Sequence, residues 1–161
     1  GDVYLNGNRL KNITNNFFYR LGSIDILNLE SNLIETIEWA AFRNLDDLKY
    51  IHLGNNSISF LDDRVFSSLM QLKHLNLSFN QLTFIGKHLF ERLFNLEVID
   101  LSNNKLKFIE EFTFKNLQVV ESIYLSNNPD IQIDQNSLAA LESIENIFIS
   151  LEFFNNYNNI K

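Results

Sequence analysis

Aliphatic positions recur along the chain with a fixed period, marked by Asn8, Asn32, Asn56, Asn80, Asn104 and Asn128, each 24 residues after the last. Three residues before each Asn lie Leu5, Leu29, Leu53, Leu77, Leu101 and Leu125, and five before it Val3, Leu27, Ile51, Leu75, Ile99 and Ile123. Five after it come Ile13, Ile37, Leu61, Ile85, Ile109 and Ile133, and ten after it Phe18, Phe42, Phe66, Phe90, Phe114 and then Leu138. Self-similarity at such a period marks a fold in which each unit buries its apolar face only by stacking on its neighbours.

The apolar-x-apolar pair of each unit predicts a short strand with both side chains on one face. Strands of successive coils then stack in parallel, and the second half of each coil returns over the buried side with the Phe and Leu columns inside. The Asn column has its own chemistry. A carboxamide offers donors and an acceptor to backbone groups left open where the chain turns inward, so one Asn per coil predicts a ladder. At the next expected position stands Glu152, which only accepts when ionised, so the ladder should end there. Ile147 and Ile149 predict a seventh strand with Asn146 and Phe148 facing outward, whereas the stretch from Leu151 to Lys161 leaves the pattern. Asn127-Asn128-Pro129-Asp130 puts Asp130 where an aliphatic residue is due, which predicts a locally irregular coil with Ile131 filling in.

The unit reads L-x-x-L-x-L-x-x-N-x-L-x-x-I-x-x-x-x-F-x-x-L, as in LKHLNLSFNQLTFIGKHLFERL from Leu72 to Leu93. It resembles the 24-residue leucine-rich repeats of extracellular proteins: Toll and Toll-like receptor ectodomains, insect immune repeat proteins, Slit-like guidance proteins and small matrix proteoglycans. The resemblance implies an α/β leucine-rich-repeat solenoid, curved, with one parallel strand per coil on the concave face and an irregular or short helical convex side. One domain over residues 1–161 is expected, with six regular repeats over about 3–144 and a degenerate seventh repeat or cap over 145–161. It also implies an extracellular setting, in a receptor ectodomain or a secreted protein, and non-catalytic recognition of a protein ligand or co-receptor, plausible for innate immunity. Such ectodomains carry cysteine-rich caps and this chain has no Cys. With Gly1 falling at the start of a strand, a stretch of a longer solenoid is the expectation.

Charge and composition narrow the partners. The net charge of -7 argues against nucleic acid, whose binding needs a cationic surface. No run of eighteen or more apolar residues occurs, so no membrane contact by this segment is expected. Without Cys there is no disulfide framework and no thiolate site. No coil carries an insertion to hold a lid, and no nucleophile-elbow, phosphate-loop or metal-ligand spacing appears, so neither an enzyme nor a cofactor or metal is expected.

Candidate surfaces follow from the register. Outward positions of adjacent strands, about 4.8 Å apart, bring Ile26, Tyr50, His52, His74, Asn76, Val98, Asp100 and Tyr124 onto the concave sheet. Amphipathic rings beside aliphatic groups suit contact with protein, although such a face also fits ordinary surface variety. Two histidines on neighbouring strands with no third ligand read as surface residues before they read as a metal site or a pH sensor. Four residues after the Asn, Phe60, Phe84 and Phe108 form a second aromatic column. Packing over the coil edges is its expected role, with a lateral homo-association contact as the alternative; the apolar tail of Phe148, Leu151, Phe153 and Phe154 is a second candidate for self-contact. Lys49 and Lys73 followed by Glu97, Glu121 and Glu145 would separate charge along one flank, either as a plain solvated edge or as a steering field.

Three glycosylation sequons begin at Asn12, Asn55 and Asn76. With 24 Asn and 17 Ser plus Thr in 161 residues, about 2.5 arise by chance, so position carries the information and number does not. A glycan on Asn76 would cover the concave patch.

Overall fold

The computed structural model describes residues 1–141 and the strand at 148–150. Each coil opens with a three-residue strand: β1 (Asp2–Tyr4), β3 (Ile26–Asn28), β5 (Tyr50–His52), β6 (His74–Asn76), β7 (Val98–Asp100), β9 (Ser122–Tyr124) and β11 (Phe148–Ser150). They form one parallel sheet in chain order. From β1 to β9 every partner is 24 residues away, as in Ile51 opposite Leu75 and Leu75 opposite Ile99.

The inward columns are the core. Leu27, Ile51, Leu75 and Ile99, with Leu29, Leu53, Leu77 and Leu101, are buried against the returning limb. There the Phe column stacks, with ring centroids 5.9 Å apart for Phe18 and Phe42, 5.9 Å for Phe42 and Phe66, and 6.0 Å for Phe90 and Phe114. The returning limb is built mainly from tight turns in which an N–H bonds three residues back, such as Leu45 to Phe42 and Leu69 to Phe66. Two lateral pairs of two-residue strands add to it: β2 (Asn12–Ile13) with β4 (Thr36–Ile37), and β8 (Phe108–Ile109) with β10 (Gln132–Ile133). Among the described residues, helix is confined to α1 (Gln135–Ala139), capped by the Asp134 carboxylate accepting from the Asn136 N–H.

The Asn ladder forms, and it joins coils as well as closing turns. Asn80 Nδ2 donates to the carbonyls of Leu77 in its own coil and Leu53 in the preceding one, at 3.1 and 2.9 Å. Its Oδ1 accepts from the N–H of Ile58, again in the preceding coil, at 3.0 Å. Asn32, Asn56, Asn104 and Asn128 repeat this arrangement. Asn128 keeps its place despite Pro129; the chain then turns by an Ile131 N–H bond to the Asn128 carbonyl, and Ile131 packs on the core while Asp130 is exposed.

The residue before each ladder Asn adopts a left-handed backbone in every coil: Gly7, Ser31, Asn55, Phe79, Asn103 and Asn127 have φ between 52° and 69°. This conformation is free for Gly and mild for Asn, but costs a bulky residue about 1 kcal/mol or more. Phe79 is the misfit, and its ring is exposed. Phe79→Asn is therefore expected to stabilise the fold by up to about 1 kcal/mol, raising the melting temperature by about 2–4 °C at this size. A lower melting temperature would mean that the ring contributes more packing than its backbone costs.

The last strand corrects the expected register. Phe148 lies opposite Ser122 and Ile149 opposite Ile123, two residues later than the 24-residue period, which had put Phe148 level with Tyr124. Leu141 is buried in phase with Leu117, so the two additional residues enter after it. Glu145, Asn146, Ile147, Leu151, Glu152, Phe153 and Phe154 lie outside the described residues.

Candidate functional site

The sheet presents two outward rows, fixed by strand alternation. One runs Ile26, Tyr50, His74, Val98 and Ser122; the other runs Asn28, His52, Asn76, Asp100 and Tyr124. All eight concave residues expected from the sequence thus share one face. Tyr50 and His74 stack, with centroids 4.7 Å apart and planes 30° from parallel. Ile26 sits between Asp2 and Tyr50 in the first row.

Toward the C-terminal end the face sinks into a hollow of about 190 Å³, lined by His52, His74, Leu75, Asn76, Val98, Asp100 and Tyr124. Asp100 is held in place: its Oδ1 accepts from the Ser102 N–H at 2.9 Å and the Ser102 hydroxyl at 2.6 Å. Asn76 is held in the same way by Ser78, at 2.9 and 2.7 Å. The Asn76 amide also leans over Gly54, where an added Cβ would lie 3.1 Å from its oxygen, so a side chain at 54 would press on the Asn76 amide. Partial burial pushes the His52 imidazole below its usual range, with nearby Glu30 pulling the other way and His74 reinforcing the shift. His74 Nε2 lies 3.8 Å from Glu97. Among the described residues, no group of three or more His, Asp or Glu side chains is placed to hold a metal ion.

The flank preceding the strands does not separate charge as its sequence suggested. Lys49 bonds to Asp25 and Lys73 to Glu97, each at 2.6 Å. Each hydrogen-bonded partner holds the Asp25 carboxyl low and the two lysines high. Pairing across neighbouring coils cancels most of the field at its source, leaving Glu121 as the excess on the described part of that edge.

The opposite flank carries the second aromatic column. Phe60, Phe84 and Phe108 are 67%, 45% and 40% exposed, so these rings stand out from the coil edge where packing over it was expected. Their neighbours Leu61, Ile85 and Ile109 already fill the interior and leave no room for a second ring. Asn12 and Asn55 are exposed on this flank, with the Asn12 Oδ1 accepting from the Thr36 hydroxyl and Asn55 Nδ2 donating to the Ser31 hydroxyl. Half-buried Asn76 lies mid-sheet.

Two surface features escaped sequence reasoning. Phe79 belongs to the left-handed column, whose Gly and Asn content was the available signal. Trp39 is sandwiched by the guanidinium groups of Arg43 and Arg64, each 4.9 Å from the ring centroid. The same Arg64 forms paired bonds to Asp62 and holds that carboxyl at about 2.

Several comparisons bear on identity. The family model described as leucine rich repeat matches over residues 2–58, 24–82, 46–106, 71–129 and 94–151. A sequence comparison with curated proteins finds no match. Among solved structures, the TLR13-ssRNA13 complex aligns with a TM-score of 0.80 at 29% identity, covering 97% of this chain and 22% of that one. Human 5T4 (Wnt-activated inhibitory factor 1, trophoblast glycoprotein) aligns with a TM-score of 0.61 at 22% identity, covering 93% of this chain and 68% of that one, a likeness of fold. The chain thus spans 22% of the TLR13 chain it matches. With the repeat, the ladder and the parallel sheet all in register, this chain belongs to the leucine-rich-repeat family.

Proposed function

We propose that the chain is a non-catalytic recognition segment of an extracellular leucine-rich-repeat protein, an innate-immune receptor or a secreted immune factor, whose concave sheet binds a protein ligand or co-receptor. The observation that carries this reading is the uninterrupted face from Ile26 to Tyr124, where rings and aliphatic groups lie side by side with no insertion among the described residues covering them. Aromatic anchors at the centre of a patch dominate protein interfaces. The extracellular, immune setting rests on the 24-residue repeat type and the likeness to TLR13. That structure is a complex with ssRNA13; the net charge of -7 favours a protein partner here over RNA.

The test uses the chain secreted from a eukaryotic host, immobilised, and exposed to extracellular fluid and cell-surface protein. Tyr50→Ala combined with His74→Ala is expected to leave the melt within about 1 °C, since neither is buried in the core. Binding of any specific partner should fall at least about tenfold. Undiminished binding would refute the concave reading. Mass spectrometry of the same material reads the sequons: glycans are expected at exposed Asn12 and Asn55, and occupancy at Asn76 would move the binding surface to the flanks.

A second reading, a structural or adhesive module acting by homo-association, is favoured by one observation, the exposure of Phe60, Phe84 and Phe108. Sedimentation that shows self-association at micromolar concentration, lost in Phe60→Ser with Phe84→Ser, would select it.

A further inference from the structure

The hollow in the concave face has a chemistry narrower than general protein contact. Its lining combines apolar Leu75 and Val98, the rings of His52, His74 and Tyr124, the Asp100 carboxylate and the Asn76 amide. We propose that this hollow is a socket for one cationic side chain, arginine or lysine, projecting from the protein partner. The proposal deepens the concave reading and rests on it.

Size decides first. At about 190 Å³ the hollow is smaller than the roughly 300–1,000 Å³ of pockets that hold cofactors or drug-sized ligands, and it suits one long side chain. Charge decides next. Both Ser102 donors fall on Asp100 Oδ1, and a carboxylate offers about four acceptor sites, so Oδ2 retains its capacity. Asp100 forms no ion pair among the described residues. The nearby lysines are engaged elsewhere, Lys49 with Asp25 and Lys73 with Glu97, so no internal cation occupies the place. Burial works against a positive charge on His52.

The remaining lining matches the rest of such a side chain. Arginine and lysine lay their methylene stems on apolar surface while the charged head reaches polar groups, here from Val98 and Leu75 toward Asp100. A phenol ring attracts a cation held within about 6 Å of its centroid, and Tyr124 is the ring of that kind in the lining. The fixed rotamer of Asp100 means that little ordering is lost when the guest arrives. An anionic guest would meet the carboxylate instead.

The experiment is an NMR titration of the isotope-labelled 161-residue chain with Nα-acetyl-arginine amide and Nα-acetyl-lysine amide. The norleucine and glutamate amides serve as the apolar and anionic controls. The expected result is saturable shifts at millimolar concentration, centred on Val98, His52 and Tyr124, with the cationic amides preferred over norleucine by about fivefold, the scale of a partly exposed ion pair. Asp100→Asn keeps an oxygen for the Ser102 donors and should remove the preference without moving the melt; 1 M salt should also remove it. Equal binding of norleucine, preference that survives Asp100→Asn, shifts centred elsewhere, or displacement of the arginine amide by a single-stranded RNA oligonucleotide would overturn the proposal. If partner binding falls in the Tyr50→Ala, His74→Ala variant while no cationic amide binds, the socket fails and the concave reading stands. If the cationic amides bind while that variant keeps its partner, the concave reading fails instead.

Discussion

Leu77→Asp is expected to abolish the cooperative melt. Leu77 is fully buried, at 0% exposure, in the fourth of the stacked coils, so the carboxylate would have no water and no cation to answer it. Burying such a charge costs several kcal/mol even after relaxation, a large share of the roughly 5–15 kcal/mol that holds a domain of this size. A repeat stack also has no distant core to fall back on, because each coil is held only by its neighbours. Circular dichroism should show loss of the β signal at room temperature, while Leu77→Ala, costing about 2–5 kcal/mol, should leave a folded protein with a lowered melting temperature. If the Asp variant melts like the parent, the assignment of the inward column is wrong.

Asn80→Asp is expected to be nearly as damaging at neutral pH, despite exchanging only NH2 for O. Asn80 is 3% exposed, and its Nδ2 faces the carbonyl oxygens of Leu53 and Leu77 at 2.9 and 3.1 Å. A carboxylate would turn those donors into acceptors against acceptors, for a loss of about 3–5 kcal/mol. Only the protonated acid restores one donor, so its pKa in the folded state must lie above the unfolded value of about 3.9. The deficit should therefore be full at pH 7 and shrink as pH falls through the folded-state value toward the unfolded one. Chemical denaturation of parent and variant at several pH values reads this directly. A deficit that does not change with pH would mean that the ladder bonds carry little of the stability.

Both predictions concern columns that were legible in the sequence, because a strict period of 24 fixes which residues share a layer. The sheet, its partners from β1 to β9, the Phe stack and the Asn ladder all follow from that one regularity. Periodicity sets the layer but not the direction in which a side chain leaves it. Phe60, Phe84 and Phe108 shared a column with nothing to show that the interior was already full. Lys49 and Lys73 read as one cationic stretch, yet each meets a carboxylate one coil away: Glu97, which stood in that column, and Asp25, which precedes Lys49 in it and was left out. The last strand failed for a different reason: Ile147 with Ile149 and Ile149 with Leu151 are equally good alternations two residues apart, and no ladder Asn follows to choose between them. The hollow was invisible because a period places residues on a face without giving its relief: six of the seven lining residues had been placed together, while Leu75 had been assigned to the interior.

The ladder gives the stack a polarity. From Asn32 to Asn128, each ladder Asn closes its own turn and reaches across coils only toward the one before it, taking that coil's N–H on its oxygen and giving its nitrogen to that coil's Leu carbonyl. Every cross-section therefore offers the same donor and acceptor on one side and the complementary pair on the other. Adding or deleting a whole 24-residue unit leaves both cut surfaces matched, while adding part of one strands a buried polar group. Lengthening by tandem duplication is thus nearly neutral for this architecture, and the molecule can change its reach without redesigning its interior.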